Sequence, residues 1–312
     1  MAISIEPKGR QYEVCDLPLG PPEWARMLAG GGVDTTAWRN LVGTVSLAQG
    51  DGFALATTVV RGARAMDRHA FHESVRAAYR GLGHEVAASA TPHPIRLWNF
   101  IPGILEPLTD LPHRYMAFNM GRYDAYEAWF DGRDAFACTV PTASGVGWDG
   151  DDLWIHALVS ARPGTPVENP RQVPSYRYSR RYGPLPPCFA RATRVDLDGP
   201  TLLIGGTASI RGEQTLAIGD LDAQCDETLH NLAAVIAAGC GADGRSVADP
   251  ERRRELFARF LSVRVYVPLS DDRERVETVV RDVFPPSCDV ELGAADLCRE
   301  GLRVEIEGIA RL

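Results

Sequence analysis

In the last third of the chain the spacing of apolar residues switches repeatedly between two and about 3.6, and few architectures accommodate that alternation. "TLLIGGTASI" (201–210) reads as a strand. "GDLDAQCDETLHNLAAVIAAGCG" (219–241) reads as an amphipathic helix with Asp220 as N-cap. Leu229, Leu232, Val235 and Ile236 fall on its inner face, and Gly239 is expected just past its end. "DPERRRELFARF" opens a second helix, with Asp249 as cap and Pro250 at the first helical position. "LSVRVYVPL" is a strand, "DDRERVETVVRDVF" a helix stopped by Pro285 and Pro286, and "CDVELG" and "LRVEIEGIA" are strands. Paired strands with helices on one face give an α+β architecture.

The closing stretch, "CREGLRVEIEGIARL" (298–312), raises a chemical question. Leu302, Val304 and Ile306 alternate with Arg303, Glu305 and Glu307, so the polar side of a strand carries two acids, with a thiol at its entrance. Taken alone, a cysteine packs in a core and a glutamate faces water.

The N-terminal half mixes strands with one clear helix. "NLVGTVSL" and "FALATTVV" read as a strand pair around "AQGDG". From Asp67 to about Leu82, apolar residues Phe71, Val75, Ala78, Tyr79 and Leu82 recur at helical spacing, with Gly83 expected as the stop. "PIRLWNFIPGI" and "AFACTV" are expected as further strands. A segment rich in Pro and Arg, from Arg162 to Arg194, is too broken for regular structure. Its tyrosines argue for a long ordered loop, and loops of that length carry function.

Composition narrows the function classes. No apolar run approaches the ~18–20 residues of a membrane span, and "MAISIEPKGR" lacks the pattern of a secretory signal, so a cytoplasmic protein is expected. Seven cysteines without a CxxC pair or zinc spacing read as reduced thiols. A net charge of −8 argues against nucleic acid as a partner.

Several motifs admit both a functional and a structural reading. "GCGADG" (239–244) has the GxGxxG spacing but follows a helix, which is the wrong context for a dinucleotide. His69 and His72 stand three apart on a helix without a third ligand, so a solvated or structural pair is the better reading. Six arginines (171, 177, 180, 181, 191, 194) lie within 24 residues, interleaved with tyrosines. In an acidic chain such a cluster suits a small anion, because a guanidinium grips a carboxylate through two parallel hydrogen bonds. Pairing with the chain's many acids explains it equally well. "GRYDAY" (121–126) is a second, weaker unit of this kind.

Order of motifs adds what spacing cannot. "RYGPLPPCFARATRVDLDGPTLLIGGTASI", "GDLDAQCDETLHNLAAVIAAGCG", "VRVYV" and "CREGLRVEIEGIA" follow the order of the Rid (reactive-intermediate deaminase) family, over about residues 175–312. The arginine of the Rid PARSC motif is replaced by Asp296, which counts against imine chemistry. "RLWNFIPGI", "NMGRYDAYEAW", "YSRRYGPLPPCFARA", "GTASIRGE" and "CREGLRVEIEG", spanning about 96–308, resemble the chorismatases. That resemblance implies two Rid-like halves, expected at 1–160 and 161–312, each with mixed β-sheets and helices packed on one face. The 161–312 half would carry most of the active site.

It further implies chorismate as substrate, cleaved at its enolpyruvyl ether to release pyruvate. Glu305 matches the family's essential glutamate and becomes the general acid that protonates the vinyl CH2. Apolar surroundings would raise its pKa. Arg122, Arg180 and Arg191 would bind the two carboxylates, and Tyr123 and Tyr182 would shape the ring pocket. Cys298 implies the subtype that proceeds through an arene-oxide-like species to 3-hydroxybenzoate. Ala208, in the other segment where subtypes differ, points to the subtype that adds water and gives 3,4-dihydroxycyclohexa-1,5-dienoate. No metal, nucleotide or flavin is required. Rid proteins are trimers of one unit, so a chain of two halves is expected as a monomer or a trimer. A Rid-type deaminase and a non-catalytic small-ligand binding protein remain as rivals, separated by a chorismate assay.

Overall fold

The computed structural model describes residues 12–14, 20–31, 45–243, 247 and 249–312. No helix among them is long and apolar enough to cross a membrane. The chain divides into two compact units. One contains the described residues of 19–166 and 175–190, the other those of 167–174 and 191–312 together with the Tyr12–Val14 strand.

The first unit holds five strands: β1 (Ser46–Gln49), β2 (Phe53–Val60), β3 (His93–Pro102), β4 (Thr142–Trp148) and β5 (Leu153–Ser160), in the order β1-β2-β5-β3-β4. All neighbours are antiparallel except β3 and β4. Helix α1 (Arg68–Ala87) lies between β2 and β3 in sequence, and α2 (Arg114–Trp129) between β3 and β4. Asp67 caps α1 by accepting from the Ala70 amide at 2.8 Å.

The other unit repeats this plan. Its five central strands are β6 (Ala192–Asp196), β7 (Pro200–Ala208), β8 (Phe260–Tyr266), β9 (Asp289–Gly293) and β10 (Glu305–Arg311), in the order β6-β7-β10-β8-β9. Again only the third and fourth strands in sequence run parallel. Helix α3 (Leu221–Gly239) follows the second strand and α4 (Arg273–Val283) the third. The Tyr12–Val14 strand adds in parallel to the free edge of β9. Leu229, Leu232, Val235 and Ile236 of α3 are buried against Ile204, Val263, Val265, Ile306 and Ala310 in one apolar core. Strands in mixed sheets with helices on one face match the α+β class expected from the pattern. The caps at Asp220 and Asp249 are formed, each accepting from a backbone amide of the first turn.

The local expectations fail in four places. "AFACTV" forms a short helix, Phe136–Thr139, and the strand begins only at Thr142. Pro141 fixes an extended Val140, which separates the two. Gly83 does not stop α1, which continues to Ala87. A Cβ there would lie 2.7 Å from the Trp129 ring, so the glycine is a contact point between α1 and α2. Gly239 is the last helical residue of α3, packed on Leu202, and the left-handed residue beyond the helix is Gly241 (φ +78°). The closing strand begins at Glu305, three residues after Leu302. Of the expected "NLVGTVSL" strand, residues 40–44 lie outside the described residues, and β1 extends to Gln49.

Candidate active site

Glu305 is the first residue of β10 and pairs with Ala208, the last of β7, and with Tyr266, the last of β8. Three strand ends therefore meet at one carboxyl, which is only 4% exposed. The alternation read from the sequence holds. Ile306 and Ala310 enter the core beneath the helices, and Glu305 and Glu307 take the opposite face.

The register of β10 on β7 shifts between Ile306 and Gly308. Ile306 faces Thr207 and Gly308 faces Ile204, so Gly205 and Gly206 together oppose the single residue Glu307. This is a β-bulge, a device that re-aims side chains. It lies under the Glu305 carboxyl: a Cβ on Gly206 would sit 1.9 Å from Oε1. Sequence reading missed it, although "GG" inside a strand is the signal for a bulge or a close approach.

Cys298 precedes the strand in the segment 294–304. Its thiol is pushed up to about 12, chiefly by burial and then by the Glu305 carboxyl, while Arg299 and Arg191 pull the other way. The sulfur is therefore protonated at neutral pH. Arg191 is buried, donates from Nη2 to the Val173 carbonyl at 3.1 Å, and accepts on its own carbonyl from the Gly205 amide at 2.9 Å. Glu305, Cys298, Arg191 and Ala208 thus come together in one unit. Asp296 is exposed.

The strand's second acid has a different environment. Glu307, 2% exposed, stands opposite Arg264, whose Nε donates to Glu291 at 2.5 Å. The Arg264 guanidinium, opposed by burial, is raised above its usual range by Glu291, Tyr266 and Glu307. The alternation of "VRVYV" places Arg264 on this face, so the sequence itself carries the signal for it.

The remaining expected residues belong to the other unit. Arg122, on α2, is 1% exposed and donates from Nη2 to Asn119 at 3.0 Å. Its guanidinium lies 5.0 Å from the Phe118 ring centroid and 5.7 Å from that of Phe189. Burial opposes its charge, and Tyr79, Tyr115 and Tyr126 are its electrostatic neighbours. No described carboxylate pairs with it. Tyr123 is buried edge-on to Phe136 at 5.2 Å, with Arg133 over its ring. Arg180 is exposed, and Tyr182 is half-buried 5.3 Å from Tyr178.

The arginine cluster accordingly divides. Arg171 is tied to Glu227 at 2.6 Å, whereas Arg177, Arg180, Arg181 and Arg194 are exposed and Arg191 is buried. Of His69 and His72, which lie together on α1, His72 bonds Asp124 at 2.8 Å. Among the described residues no group of three His, Cys, Asp or Glu is arranged to hold an ion.

A carboxyl enclosed at a junction of strand ends, beside a protonated thiol and a buried guanidinium, defines a site suited to proton transfer onto a small anion. Residues 36–159 match the family described as "Chorismatase FkbO/Hyg5-like, N-terminal". A 3-hydroxybenzoate synthase of Streptomyces hygroscopicus is 35% identical over 246 residues, covering 77% of this chain and 69% of that one. A chorismatase of Streptomyces rapamycinicus is 34% identical over 239 residues, covering 75% and 68%. A chorismatase crystal structure at 1.08 Å resolution superposes with a TM-score of 0.75 at 28% identity, covering 87% of this chain and 78% of that one. The chain belongs to the chorismatase family.

Proposed function

We propose that the protein cleaves the enolpyruvyl ether of chorismate to pyruvate and 3-hydroxybenzoate. The observation that carries this reading is the placement of Glu305: buried at a strand junction, over a glycine bulge, and electrostatically coupled to Cys298. Glu305 protonates the vinyl CH2, which becomes the methyl group of pyruvate. The resulting oxocarbenium breaks the ring C–O bond as its carbonyl forms. Capture of the ring cation by the neighbouring hydroxyl gives the arene-oxide-like species, and its opening with loss of a ring proton gives 3-hydroxybenzoate. The atoms of chorismate are all recovered in the two products, and no water is consumed.

Cys298 acts in this scheme as a neutral thiol beside the intermediate, a proton relay in place of a resting nucleophile. Arg191 takes a carboxylate, and the resemblance assigns Arg180 and Arg122 to carboxylate binding and Tyr123 and Tyr182 to the ring. For Arg122 the support is a buried guanidinium that no described acid neutralises, an arrangement stabilised by an arriving anion. Chorismate is the substrate, the location is cytoplasmic, and the assembly is a monomer or a trimer.

Ala208 favours a second outcome. It stands directly opposite Glu305, where it borders the intermediate, and the resemblance ties it to water addition and the diene diol. One experiment decides: chromatography of the products from chorismate for the unsubstituted protein and Cys298→Ala, with circular dichroism on both. Expected are equimolar pyruvate and 3-hydroxybenzoate from the former, and a shift toward the diol in the latter. Diol alone from the unsubstituted protein assigns product choice to Ala208. Absence of pyruvate overturns the reading.

A further inference from the structure

Helix α3 buries two amides on one side, with Glu227 and Thr228 buried between them. Gln224 and Asn231 are both 0% exposed, and they are seven residues apart, two turns along the same side. Their partners are the backbone on the two sides of the Ala208–Glu305 pair. Gln224 Nε2 donates to the Gly301 carbonyl at 2.7 Å and Oε1 accepts from the Arg303 amide at 2.9 Å. Nε2 also reaches the Ala217 carbonyl at 3.3 Å. Asn231 Nδ2 donates to the carbonyls of Ala208 at 3.0 Å and Ile210 at 2.8 Å, while Oδ1 accepts from Arg171 Nε at 3.0 Å.

These bonds fall where the sheet stops providing them. β7 ends at Ala208 and β10 begins only at Glu305, although the alternation of apolar residues continues back to Leu302. Backbone groups buried beyond a ladder require other partners. Gln224 supplies a two-point grip on 301–303, the stretch between Cys298 and Glu305. Asn231 supplies another on 208–210, the stretch leading away from the Gly206 bulge.

We propose that Gln224 and Asn231 are positioning residues, an amide clamp that fixes the backbone on both sides of the Ala208–Glu305 pair and so sets the distance between the reacting carboxyl, the thiol and Ala208. The catalytic consequence rests on the function proposed above; the clamp itself does not. Each amide acts through the backbone, and neither touches substrate.

The test combines hydrogen exchange by mass spectrometry with product analysis, on the full chain carrying Gln224→Leu or Asn231→Leu. Expected is exchange faster by roughly tenfold in residues 299–304 for Gln224→Leu and in 207–216 for Asn231→Leu, each leaving the other segment near wild type. With it, kcat falls by roughly tenfold or more, KM changes little, and the ratio of 3-hydroxybenzoate to diol shifts. Gln224→Glu retains the acceptor for the Arg303 amide, and Asn231→Asp retains the acceptor for Arg171. Gln224→Glu restores protection at Arg303 and recovers part of kcat. If a Leu variant fails to fold, its acidic counterpart carries the same measurement, through the lost donor bonds to Gly301 or to Ala208 and Ile210. Unchanged exchange overturns the clamp whatever the protein turns over. Raised exchange with wild-type kcat and product ratio overturns the positioning role. A wild-type protein inert toward chorismate overturns the proposed reaction instead, and the exchange result then judges the clamp alone.

Discussion

Glu305 and Glu307 are two residues apart on the same face of one strand, and their surroundings assign them different tasks. Glu307 lies opposite Arg264, a guanidinium bonded to Glu291 and also held charged by Glu307. Glu305 has a thiol for an electrostatic neighbour and a glycine beneath its carboxyl. Glu305→Gln is nearly isosteric and cannot protonate carbon, so kcat on chorismate should fall by ~10²–10⁴-fold with substrate binding retained. A Gln variant within a few-fold of wild type would reduce Glu305 to a packing residue. The thiol makes an independent prediction. With its pKa at about 12, Cys298 holds its proton below that pH, and only the thiolate alkylates. Labelling by iodoacetamide, followed by peptide mapping, should be slower at Cys298 than at the exposed Cys138 and Cys240. It should rise by about tenfold per pH unit from 7 to 10 without levelling. A plateau below pH 9 would mean that Arg191 and Arg299 outweigh burial and that the resting group is a thiolate.

At the scale of strands and helices, two glycines mark close approaches with opposite expected consequences. Gly206→Ala would drive a methyl into Glu305 Oε1. The obstacle is the end of a flexible side chain, so the fold should survive and the carboxyl should move. A displacement near 1 Å can cost on the order of 10²-fold in rate; kcat should drop while the melting temperature stays close to wild type. A variant that melts early and keeps its kcat would place the glycine's role in folding. Gly83→Ala meets the Trp129 ring at 2.7 Å, between α1 and α2, and a methyl there must spread two helices. The helix-propensity gain of ~1 kcal/mol is outweighed by overpacking of ~1–3 kcal/mol. The melting temperature should fall by a few degrees, with activity per folded molecule unchanged; a rise in melting temperature would show that Trp129 swings away freely. The same positions explain what could be read beforehand. Asp67, Asp220 and Asp249 announced helix starts because capping is a local bond between a side chain and the next turn. The period of two from Val304 to Ile306 put Glu305 on the face away from the core for an equally local reason. Gly83 could not be distinguished from a helix stop, since its partner Trp129 is 46 residues away in sequence. "AFACTV" has strand-like composition over six residues, too few for periodicity to exclude a helical turn.

At the scale of the whole chain, one strand order occurs twice, and only one copy carries the acid. In each unit the fifth strand begins opposite the last residue of the second: Glu305 opposite Ala208, and Leu153 opposite Val60. Apolar patterning alone does not disclose that repetition, because the two copies share strand order and not side chains. It also does not disclose that residues 175–190 pack with the first unit while 167–174 and 191–312 pack with the second. The proposed reaction sets what such a site must supply. A dianionic ether needs one proton delivered to carbon and two negative charges balanced, and a carboxyl, a thiol and guanidinium groups supply both without a Lewis acid. Dialysis against a chelator should therefore leave kcat and the product ratio within experimental error, and added divalent cations should not raise either. Elemental analysis of the purified protein should give less than one equivalent of any transition metal. Loss of turnover on chelation, restored by one divalent ion and not by others, would mean that a metal polarises the ether or a carboxylate. The role given to Arg191 and Arg122 would then pass to that ion.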